Sequence, residues 1–531
     1  MGKKYVLILF IVFTSCREHS KLNFTENASF EGLFSFFKDD KIKIDSTLIN
    51  SYNDTILKAI YKKNNFEVLW DAQENRSSAL TALVKSHEDG LVPSDYYVDY
   101  LSKLETQFDS LSEPQKAKYD IELTRSIQKY IRHINVGKVN PYELYDDWDL
   151  GKKNIDVNQL LSECIVEKSF DEKIEKLKPQ IKLYQQLKEA LKKLNEYPDK
   201  NIEQVDPKEK FTLKTSSKSM INIKRKLIYW GDLKRKDSAL TKLYDKETQA
   251  AVKHFQKRHG LRADGVIGKG TIEALNYSRN QRIEQVIVNL ERLRWLPNNI
   301  GNHYILVNLP NYYLTVYKDN DSILSHKVVV GKDTRKTPLL SSKLTNIVLN
   351  PNWTVPPTIL KEDVFPEAIR SRSAFSRRGL HIFDSRNREV SPWKWKMEDA
   401  KRYKYVQNPS KNNSLGYMKI NFSNKYAVYL HDTNHRNYFK YDYRALSSGC
   451  VRVENPLELG KYLLNDEENW SMEKIEEVTK NAKKLKTTSI DLEEDIYVHF
   501  LYNTAWIENN VLQFREDIYC LDADLYSKLR Y

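Results

Sequence analysis

The spacing of apolar residues changes along this chain, and that change limits its fold more than any other feature. Before Pro297, apolar side chains recur every three or four residues, as at Ile127, Ile131 and Ile134, which is typical of helices with one buried face. After Pro297, short runs such as 304–309 alternate or are rich in β-branched residues, which predicts strands. The 531 residues also exceed what one hydrophobic core usually holds. The sequence therefore predicts several domains, helical first and β-rich later.

Composition and charge exclude two broad classes of protein. A mean hydropathy of −0.64 excludes a protein with many membrane spans. Lysine and arginine number 85 against 72 aspartates and glutamates, a formal charge of +13, but the excess is spread along the chain and no nucleic-acid-binding motif accompanies it. We therefore expect no nucleic-acid partner. The charge favours a location near anionic envelope polymers or lipid.

The first residues are typical of an exported protein. Two lysines precede an apolar run over 5–13, which is too short to span a bilayer and suits a secretory signal. Small residues then lead into Cys16, which resembles a bacterial lipoprotein signal. We expect residues 1–15 to be a signal peptide and Cys16 to be lipidated, anchoring the protein to a membrane in the periplasm or cell envelope. An ordinary signal peptide with an incidental cysteine is the alternative.

The cysteine count points to a reactive thiol. Apart from Cys16, the chain contains Cys164, Cys450 and Cys520, and an odd number in an oxidising compartment leaves at least one unpaired. The count does not say which cysteine that is. A disulfide between Cys450 and Cys520 stays open at this point, and it would remove Cys450 as a nucleophile.

One short segment combines the groups that acyl transfer needs. A predicted strand over 426–430 runs into His431, and nineteen residues separate this histidine from Cys450. An adjacent imidazole lowers the pKa of a thiol and accepts its proton. Gly449 would let the N–H groups of residues 449 and 450 face an oxyanion, and Arg452 would orient a substrate carboxylate or hold the loop.

Other interpretations of these residues stay open. A cysteine in a strand is usually a small buried hydrophobe, and a histidine at a strand end is often structural. Zinc could bind His431, His435 and Cys450, but no fourth ligand lies nearby at the usual spacing. We therefore expect no metal.

A segment before the change of period resembles a small three-helix peptidoglycan-binding domain. Residues 244–271 match the signature of that family without a gap. Gly265 and Gly268 permit its turns, while Val252 and Phe255 contribute to its core. The alternative is a spacer that has lost its binding activity.

The segments Tyr429–Thr433 and Ser447–Val453 resemble the active-site signature of the L,D-transpeptidases, whose catalytic domain is of the YkuD type. The resemblance is closest to the long branch, which has a scaffold domain, a peptidoglycan-binding domain and a lid inserted into the catalytic domain. Four further stretches support it, at 289–297, 330–338, 350–357 and 413–419. The resemblance covers roughly residues 70–458.

The resemblance implies a multidomain α+β protein with a helical N-terminal scaffold, a small three-helix peptidoglycan-binding domain and a β-rich catalytic domain with an inserted lid. The expected boundaries are 30–205 for the scaffold, 215–278 for the peptidoglycan-binding domain, 279–298 for a connecting helix, 300–480 for the catalytic domain with its lid at about 361–414, and 481–531 for a C-terminal segment packing on the scaffold or the catalytic domain.

The resemblance also assigns roles to residues. Cys450 is the nucleophile and His431 its base, and the surround of the site comprises Gly449, Tyr429, Ser448, Arg452 and Asp432. In this family a backbone carbonyl usually orients the imidazole, so Asp432 is a weaker choice for that role. The lid and the substrate contacts would involve Trp393, Trp395, Asn350 and Trp353. No cofactor is implied.

The implied reaction is a two-step acyl transfer on peptidoglycan tetrapeptide stems. The thiolate releases D-Ala and forms a thioester, and the side-chain amine of a second stem then takes the acyl group to give a 3→3 cross-link. An L,D-carboxypeptidase or hydrolase with the same nucleophile is the first alternative, and a non-catalytic peptidoglycan-binding envelope protein is the second. The sequence does not predict an oligomeric state.

Overall fold

The computed structural model describes residues 42–480 and 485–530. The expected signal segment and Cys16 lie outside these residues. Within the described ranges, no helix is both long and apolar enough to cross a membrane.

The N-terminal region is helical and has its own apolar core. Its main helices are Thr55–Lys63, Gln73–Val84, Val98–Glu105, Glu113–Val136, Val157–Val166 and Phe170–Leu177. The longest of them begins at a capping box formed by Ser112 and Gln115, and it ends at Gly137, which has a φ of 102°. This core runs from Ile44 to Ile174. It therefore ends before the expected boundary at 205, because helix Lys182–Glu196 packs elsewhere.

The peptidoglycan-binding unit is a three-helix bundle of the expected kind. Its helices are Ser219–Tyr229, Lys246–Arg258 and Lys269–Asn276. The turn between the last two is held by the Tyr244 hydroxyl, which donates to the carbonyl oxygen of Gly265 at 2.6 Å. Asp245 caps the second helix by accepting from the Thr248 N–H.

The connecting helix Arg279–Arg294 is buried on nearly every side. This differs from the one-sided apolar helix that the spacing predicts, because its polar residues have buried partners. Glu291 and Arg294 form a buried ion pair at 2.7 Å, and Asn289 donates to the Thr504 hydroxyl at 2.8 Å. Helix Lys182–Glu196 packs against it. The helix therefore packs between the scaffold and the C-terminal segment, and we call it the central helix.

The catalytic region is a closed β-barrel. Its eight strands, numbered in chain order, are β1 His303–Asn308, β2 Tyr313–Lys318, β3 Asp321–Gly331, β4 Leu339–Leu349, β5 Met418–Phe422, β6 Leu430–His431, β7 Val451–Val453 and β8 Tyr497–Leu501. Around the barrel the order is β4-β5-β6-β7-β3-β2-β1-β8 and back to β4. The pairs β6–β7 and β8–β1 are parallel, and the others are antiparallel. Short strands Trp148–Asp149, Ala445–Ser447 and Thr488–Asp491 extend the sheet.

The C-terminal residues complete this barrel. Strand β8 pairs with β1 on one side and with Ser341–Lys343 of β4 on the other, so the sheet has no open edge there. The catalytic fold therefore extends past the expected boundary at 480. The chain then forms a hairpin of Ala505–Glu508 and Val511–Phe514. The last helix, Asp522–Arg530, packs on the central helix Arg279–Arg294.

The insertion between β4 and β5 is a small domain with its own core. Four short strands pair in the order Trp353–Thr354, Lys404–Gln407, Leu380–Phe383 and Glu389–Val390. Helical turns at Pro357–Ile359, Leu360–Val364, Phe365–Arg370 and Ser373–Arg377 pack on them. We call residues 353–407 the lid. It begins a few residues earlier and ends earlier than the expected 361–414, because its edge strands lie outside the charged stretch that marks it in the sequence.

Candidate active site

The register of two neighbouring strands brings the candidate residues onto one face. On the parallel pair β6–β7, Leu430 lies opposite Val451 and His431 lies opposite Arg452. Leu430 and Val451 are fully buried in the core, so the side chains of His431 and Arg452 emerge on the other face. Tyr429 and Cys450 lie two residues before His431 and Arg452, and they share this face. Lys419, which lies opposite His431 on β5, shares it too.

The Cys450 side chain is half-buried, and its Sγ donates a hydrogen bond to the Ala427 carbonyl oxygen at 4.0 Å. Burial raises the pKa of the thiol, although interactions with Tyr429 and the positive charges of Lys419 and Arg452 oppose that rise. The net shift is upward, so the thiol is protonated at neutral pH.

His431 is held as a neutral imidazole. Its Nδ1 forms a very short hydrogen bond with the backbone carbonyl oxygen of Asp432. A carbonyl only accepts, so Nδ1 carries the proton and Nε2 keeps its lone pair. Burial and then the charge of Arg452 lower the pKa of His431 to about 3. Among the described residues, no hydrogen bond joins this ring to the thiol of Cys450.

The Asp432 carboxylate does not orient the imidazole in this arrangement. Its Oδ2 accepts from the Tyr417 N–H at 2.9 Å and from Arg436 Nη2 at 2.7 Å. The backbone carbonyl of Asp432, rather than its side chain, therefore contacts His431.

The loop before Cys450 is fixed by two hydroxyl groups. Gly449 has a φ of 115°, which L side chains rarely adopt. Ser447 Oγ donates to the Cys450 carbonyl oxygen at 2.6 Å and accepts from the Gly449 N–H at 3.2 Å. Thr337 Oγ1 donates to the Gly449 carbonyl oxygen at 2.8 Å. The Gly449 N–H is thus already engaged, contrary to the expectation that it faces an oxyanion, whereas the Cys450 N–H has no acceptor among the described residues.

Arg335 connects this loop to the lid. Its Nη1 donates to Ser448 Oγ at 2.8 Å and to Asp363 Oδ2 at 2.7 Å, and its Nε donates to Glu362 Oε2 at 2.9 Å. The sequence interpretation did not single out Arg335. The available signal was its position inside the family-like stretch 330–338.

Arg452 is a half-buried cation, and two of its nitrogen atoms lack partners in the described part of the chain. Its Nε and Nη1 are buried and have no hydrogen-bond acceptor among the described residues, and its guanidinium lies 5.7 Å from the centre of the Tyr438 ring. Burial lowers its pKa. Buried donors without acceptors are costly to fold, and an anion bound here would supply the missing acceptors.

Tyr429 lies between the lid and the candidate nucleophile. Lys419 Nζ is 4.0 Å from the centre of its ring. Burial and the proximity of Cys450 raise the pKa of the Tyr429 hydroxyl, while an interaction with Trp353 of the lid opposes the rise. The hydroxyl is therefore protonated at neutral pH and can donate.

The other expected lid residues have different surroundings. Trp395 is only 1% exposed, and its indole nitrogen donates to the Tyr405 hydroxyl at 2.7 Å inside the lid core. Asn350 is buried and donates to the Val478 carbonyl oxygen at 2.9 Å. Both positions serve the folding of this region and do not reach a substrate. Trp393, in contrast, is 76% exposed.

The cysteines and metal ligands bear on the remaining alternatives. Cys164, Cys450 and Cys520 are all free, so Cys450 and Cys520 are not joined. Burial raises the pKa of Cys164 to about 11, which makes it a poor nucleophile. Within residues 42–480 and 485–530, no three His, Cys, Asp or Glu side chains come together as a metal site.

Three family models match this chain. Residues 55–191 match a scaffold domain, residues 216–275 match a domain described as "putative peptidoglycan binding domain", and residues 302–483 match the L,D-transpeptidase catalytic domain. These matches confirm the resemblance inferred from the sequence.

Known proteins similar to this chain include a curated protein of Haemophilus influenzae described as "Putative L,D-transpeptidase". It is 37% identical over 246 residues, which are 46% of this chain and 49% of the relative. The chain thus spans about half the length of the curated relative it matches.

Among solved structures, an L,D-transpeptidase from Stackebrandtia nassauensis is 16% identical, covering 55% of this chain and 95% of that chain, with a TM-score of 0.23. A fragment from Xylanimonas cellulosilytica is 14% identical, covering 57% and 99%, with a TM-score of 0.18. The three family models thus show that the chain carries a scaffold domain, a domain of the peptidoglycan-binding type and, at residues 302–483, a catalytic domain of the L,D-transpeptidase family.

Proposed function

We propose that this protein is an L,D-transpeptidase of the cell envelope that acts on peptidoglycan tetrapeptide stems, with Cys450 as nucleophile and His431 as base. The observation that carries the proposal is the register of β6 and β7, which puts a thiol and a neutral imidazole on the same face of adjacent strands. The hydrogen bond of His431 to the Asp432 carbonyl leaves Nε2 free to accept a proton.

In the first step Cys450 attacks the carbonyl carbon of the amide between the L-centre of diaminopimelate and the terminal D-Ala. As the S–C bond forms, the thiol proton passes to Nε2 of His431. The imidazolium then gives this proton to the leaving nitrogen, the C–N bond breaks, D-Ala departs and a thioester remains. The reaction would start from a neutral thiol and a neutral imidazole, because burial disfavours both the thiolate of Cys450 and the imidazolium of His431. The thiol must turn from the Ala427 carbonyl towards the ring, an adjustment common on substrate binding.

The oxyanion of the tetrahedral intermediate needs hydrogen-bond donors, and the loop before Cys450 offers one backbone N–H group. The Cys450 N–H has no acceptor in the described part of the chain, whereas the Gly449 N–H donates to Ser447 Oγ. We propose the Cys450 N–H as the main donor and the protonated Tyr429 hydroxyl as the second.

Arg452 would bind a carboxylate of the donor stem. Arg452 lies on the strand that follows Cys450, on the same face, and two of its buried nitrogens have no acceptor within the described part of the chain. A carboxylate can accept a charge-assisted hydrogen bond from this guanidinium, and the ionic contact would place the scissile amide beside the thiol.

In the second step an amine of another stem attacks the thioester, the S–C bond breaks and the thiol is regenerated, which gives a 3→3 cross-link. If water attacks instead, the enzyme is a carboxypeptidase. The lid would favour the first outcome by excluding water, and Arg335 already ties it to the nucleophile loop.

The decisive experiment is a mass spectrum of products formed from purified disaccharide-tetrapeptide. We expect a dimer that lacks one D-Ala. Tripeptide monomer alone would support hydrolysis instead, and Cys450→Ala with full activity would refute the nucleophile. Cys520→Ala is the matched control, because it removes an exposed free thiol and should keep full activity. A chain that binds peptidoglycan but forms no product and no covalent carbapenem adduct would be a binding protein only.

Membrane anchoring through Cys16 is a separate proposal with its own test. The support is the lipoprotein-like sequence that precedes this residue. We expect cells that make the wild type to incorporate labelled palmitate into the protein and cells that make Cys16→Ser not to. Equal labelling of both would contradict the anchor.

A further inference from the structure

A large cleft lies outside the candidate active site. Its volume is about 1370 Å³, and none of the residues 429–431 or 447–452 lines it. Its walls come from distant parts of the chain: helix Lys182–Glu196, the peptidoglycan-binding unit near His254–Ala263, the outer faces of β1 and β2, and the C-terminal hairpin. It exceeds the roughly 300–1,000 Å³ typical of small-molecule sites, so its size suits part of a polymer.

The walls of this cleft are held together by specific contacts. Arg258 of the peptidoglycan-binding unit pairs with Asp232 at 2.5 Å, and its carbonyl oxygen accepts from Arg515 Nη1 at 3.1 Å. The His259 ring stacks on Phe514 of the hairpin with centroids 5.6 Å apart. The unit is therefore docked against the barrel side, and the cleft between them is a built feature.

The lining combines aromatic rings with uncharged amides. Tyr313, Tyr317 and Trp506 are half-buried along it, and flat aromatic faces of this kind stack on apolar faces of sugar rings. The amides that accompany them include Gln185, Gln186, Asn311 and Gln513. They supply the donors and acceptors that hydroxyl and acetamido groups require.

Two buried polar groups of the lining are unsatisfied. The Tyr312 hydroxyl and the Asn503 Oδ1 have no hydrogen-bond partner among the described residues, although their residues are only 7% and 2% exposed. Buried polar atoms usually have partners. Their position in the lining is an independent sign that a polar ligand binds here.

Charge on the lining argues against a polyanion. The lining carries four lysines and three arginines against four carboxylates, Glu189, Asp321, Asp442 and Glu508. The arginines already have partners within the protein, because Arg258 pairs with Asp232 and both Arg444 and Arg515 donate to oxygen atoms of the chain. The lysines left to meet a ligand are therefore balanced by the carboxylates. A nucleic acid would need an excess of positive charge. A largely neutral polysaccharide does not.

We propose that this cleft binds the glycan strand of peptidoglycan, an amino-sugar polysaccharide, while the attached stem peptide enters the site of Cys450. The identity of the polymer rests on the proposed function. One wall, residues 439–444, belongs to the segment that connects His431 with Cys450. A strand in the cleft would therefore lie beside the loop that carries the nucleophile, and its stem peptides could reach the site.

The test measures binding of the full mature protein to glycan strands freed of their stem peptides. We expect saturable binding by the wild type and by Cys450→Ala, and at least tenfold weaker binding by Trp506→Ala and by Tyr317→Ser. Tyr317 lies on β2 and Trp506 on the C-terminal hairpin. Neither ring belongs to the peptidoglycan-binding unit, so a loss of binding in these variants reports on the cleft and not on that unit alone. Tyr97→Ala is the control, because this ring is 57% exposed on the scaffold and does not line the cleft.

The two proposals fail in different ways. Unchanged glycan binding by both cleft variants, or no binding by the wild type while it binds single-stranded RNA, would overturn the cleft proposal. Glycan binding without any product from disaccharide-tetrapeptide would overturn the proposed function and leave the cleft proposal standing. Acylation of Cys450 by a carbapenem should be unchanged in folded cleft variants, and if one variant does not fold, the other still decides.

Discussion

The hydroxyl of Thr337 donates a hydrogen bond to the carbonyl oxygen of Gly449 at 2.8 Å. A trans peptide is planar and its C=O and N–H groups point in opposite directions, so this contact also sets the direction of the Cys450 N–H. Thr337 is itself buried and accepts from the Gly331 N–H at 2.8 Å. It is a positioning residue for the proposed oxyanion donor.

Replacing Thr337 by valine should slow the acylation of Cys450 by roughly tenfold or more. This decrease in rate is smaller than the one caused by removing an oxyanion donor altogether. It should also lower the free energy of unfolding by about 1–3 kcal/mol, because it leaves buried backbone groups without partners. Thr337→Ser keeps the hydroxyl and should retain most activity. The measurement is the carbapenem acylation rate, followed by mass spectrometry, beside thermal unfolding. Equal acylation rates for valine and serine variants would contradict the positioning role.

Breaking the contact between Arg335 and the lid should change the fate of the thioester. Arg335→Ala loses its bonds to Glu362, Asp363 and Ser448, so the lid should open more often and admit water. We expect a several-fold higher ratio of tripeptide to cross-linked dimer, measured from the same reaction mixture. Asp363→Asn should act in the same direction. Arg388→Ala, which removes an exposed ion pair elsewhere in the lid, should leave the ratio unchanged.

The pH profile should lack the usual histidine step. Burial lowers the pKa of His431 to about 3 and raises the pKa of Cys450, so both groups stay neutral from about pH 5 to about pH 8. The acylation rate of the free enzyme should then be flat through pH 6.5. A clear inflection near pH 6.5 would contradict the neutral pair.

The same shift predicts how stability depends on pH. The unfolded chain binds a proton at His431 below about pH 6.5, whereas the folded chain does so only near pH 3. This histidine therefore makes the folded state less stable as the pH falls below about 6.5 and has no such effect above it. His431→Gln should flatten part of that slope in urea unfolding measured between pH 4 and pH 7.

Removing the charge of Arg452 should separate stability from activity. Arg452→Met should keep or raise the thermal stability, because two buried nitrogens of the guanidinium have no acceptor among the described residues. It should raise KM for the tetrapeptide donor by at least tenfold if the cation binds a substrate carboxylate. A donor stem whose carboxylates are amidated should bind wild type and variant equally. A large loss of stability with an unchanged KM would instead mean that Arg452 only holds the loop.

Several features of this protein follow from local sequence. The change of apolar spacing after Pro297 separates helical from β-rich regions, and the glycine pattern near Gly265 specifies the turn of the three-helix unit. The motif around His431 and Cys450 identifies the candidate site. These features depend on propensities and side-chain periods within a few residues, which is why the sequence is enough to predict them.

Tertiary structure decided the rest, because burial and pairing join residues that are far apart in the chain. Strand β8 pairs with β1 across 193 residues of sequence and with β4 across about 155, and Arg335 meets Ser448 across 113 residues. No local pattern distinguishes the buried Trp395 from the exposed Trp393. The sequence by itself thus determined the domains and the candidate nucleophile and base. Only the packed chain decided which backbone donor is free, which cation is unpartnered and what holds the lid, since each depends on the neighbours that folding supplies.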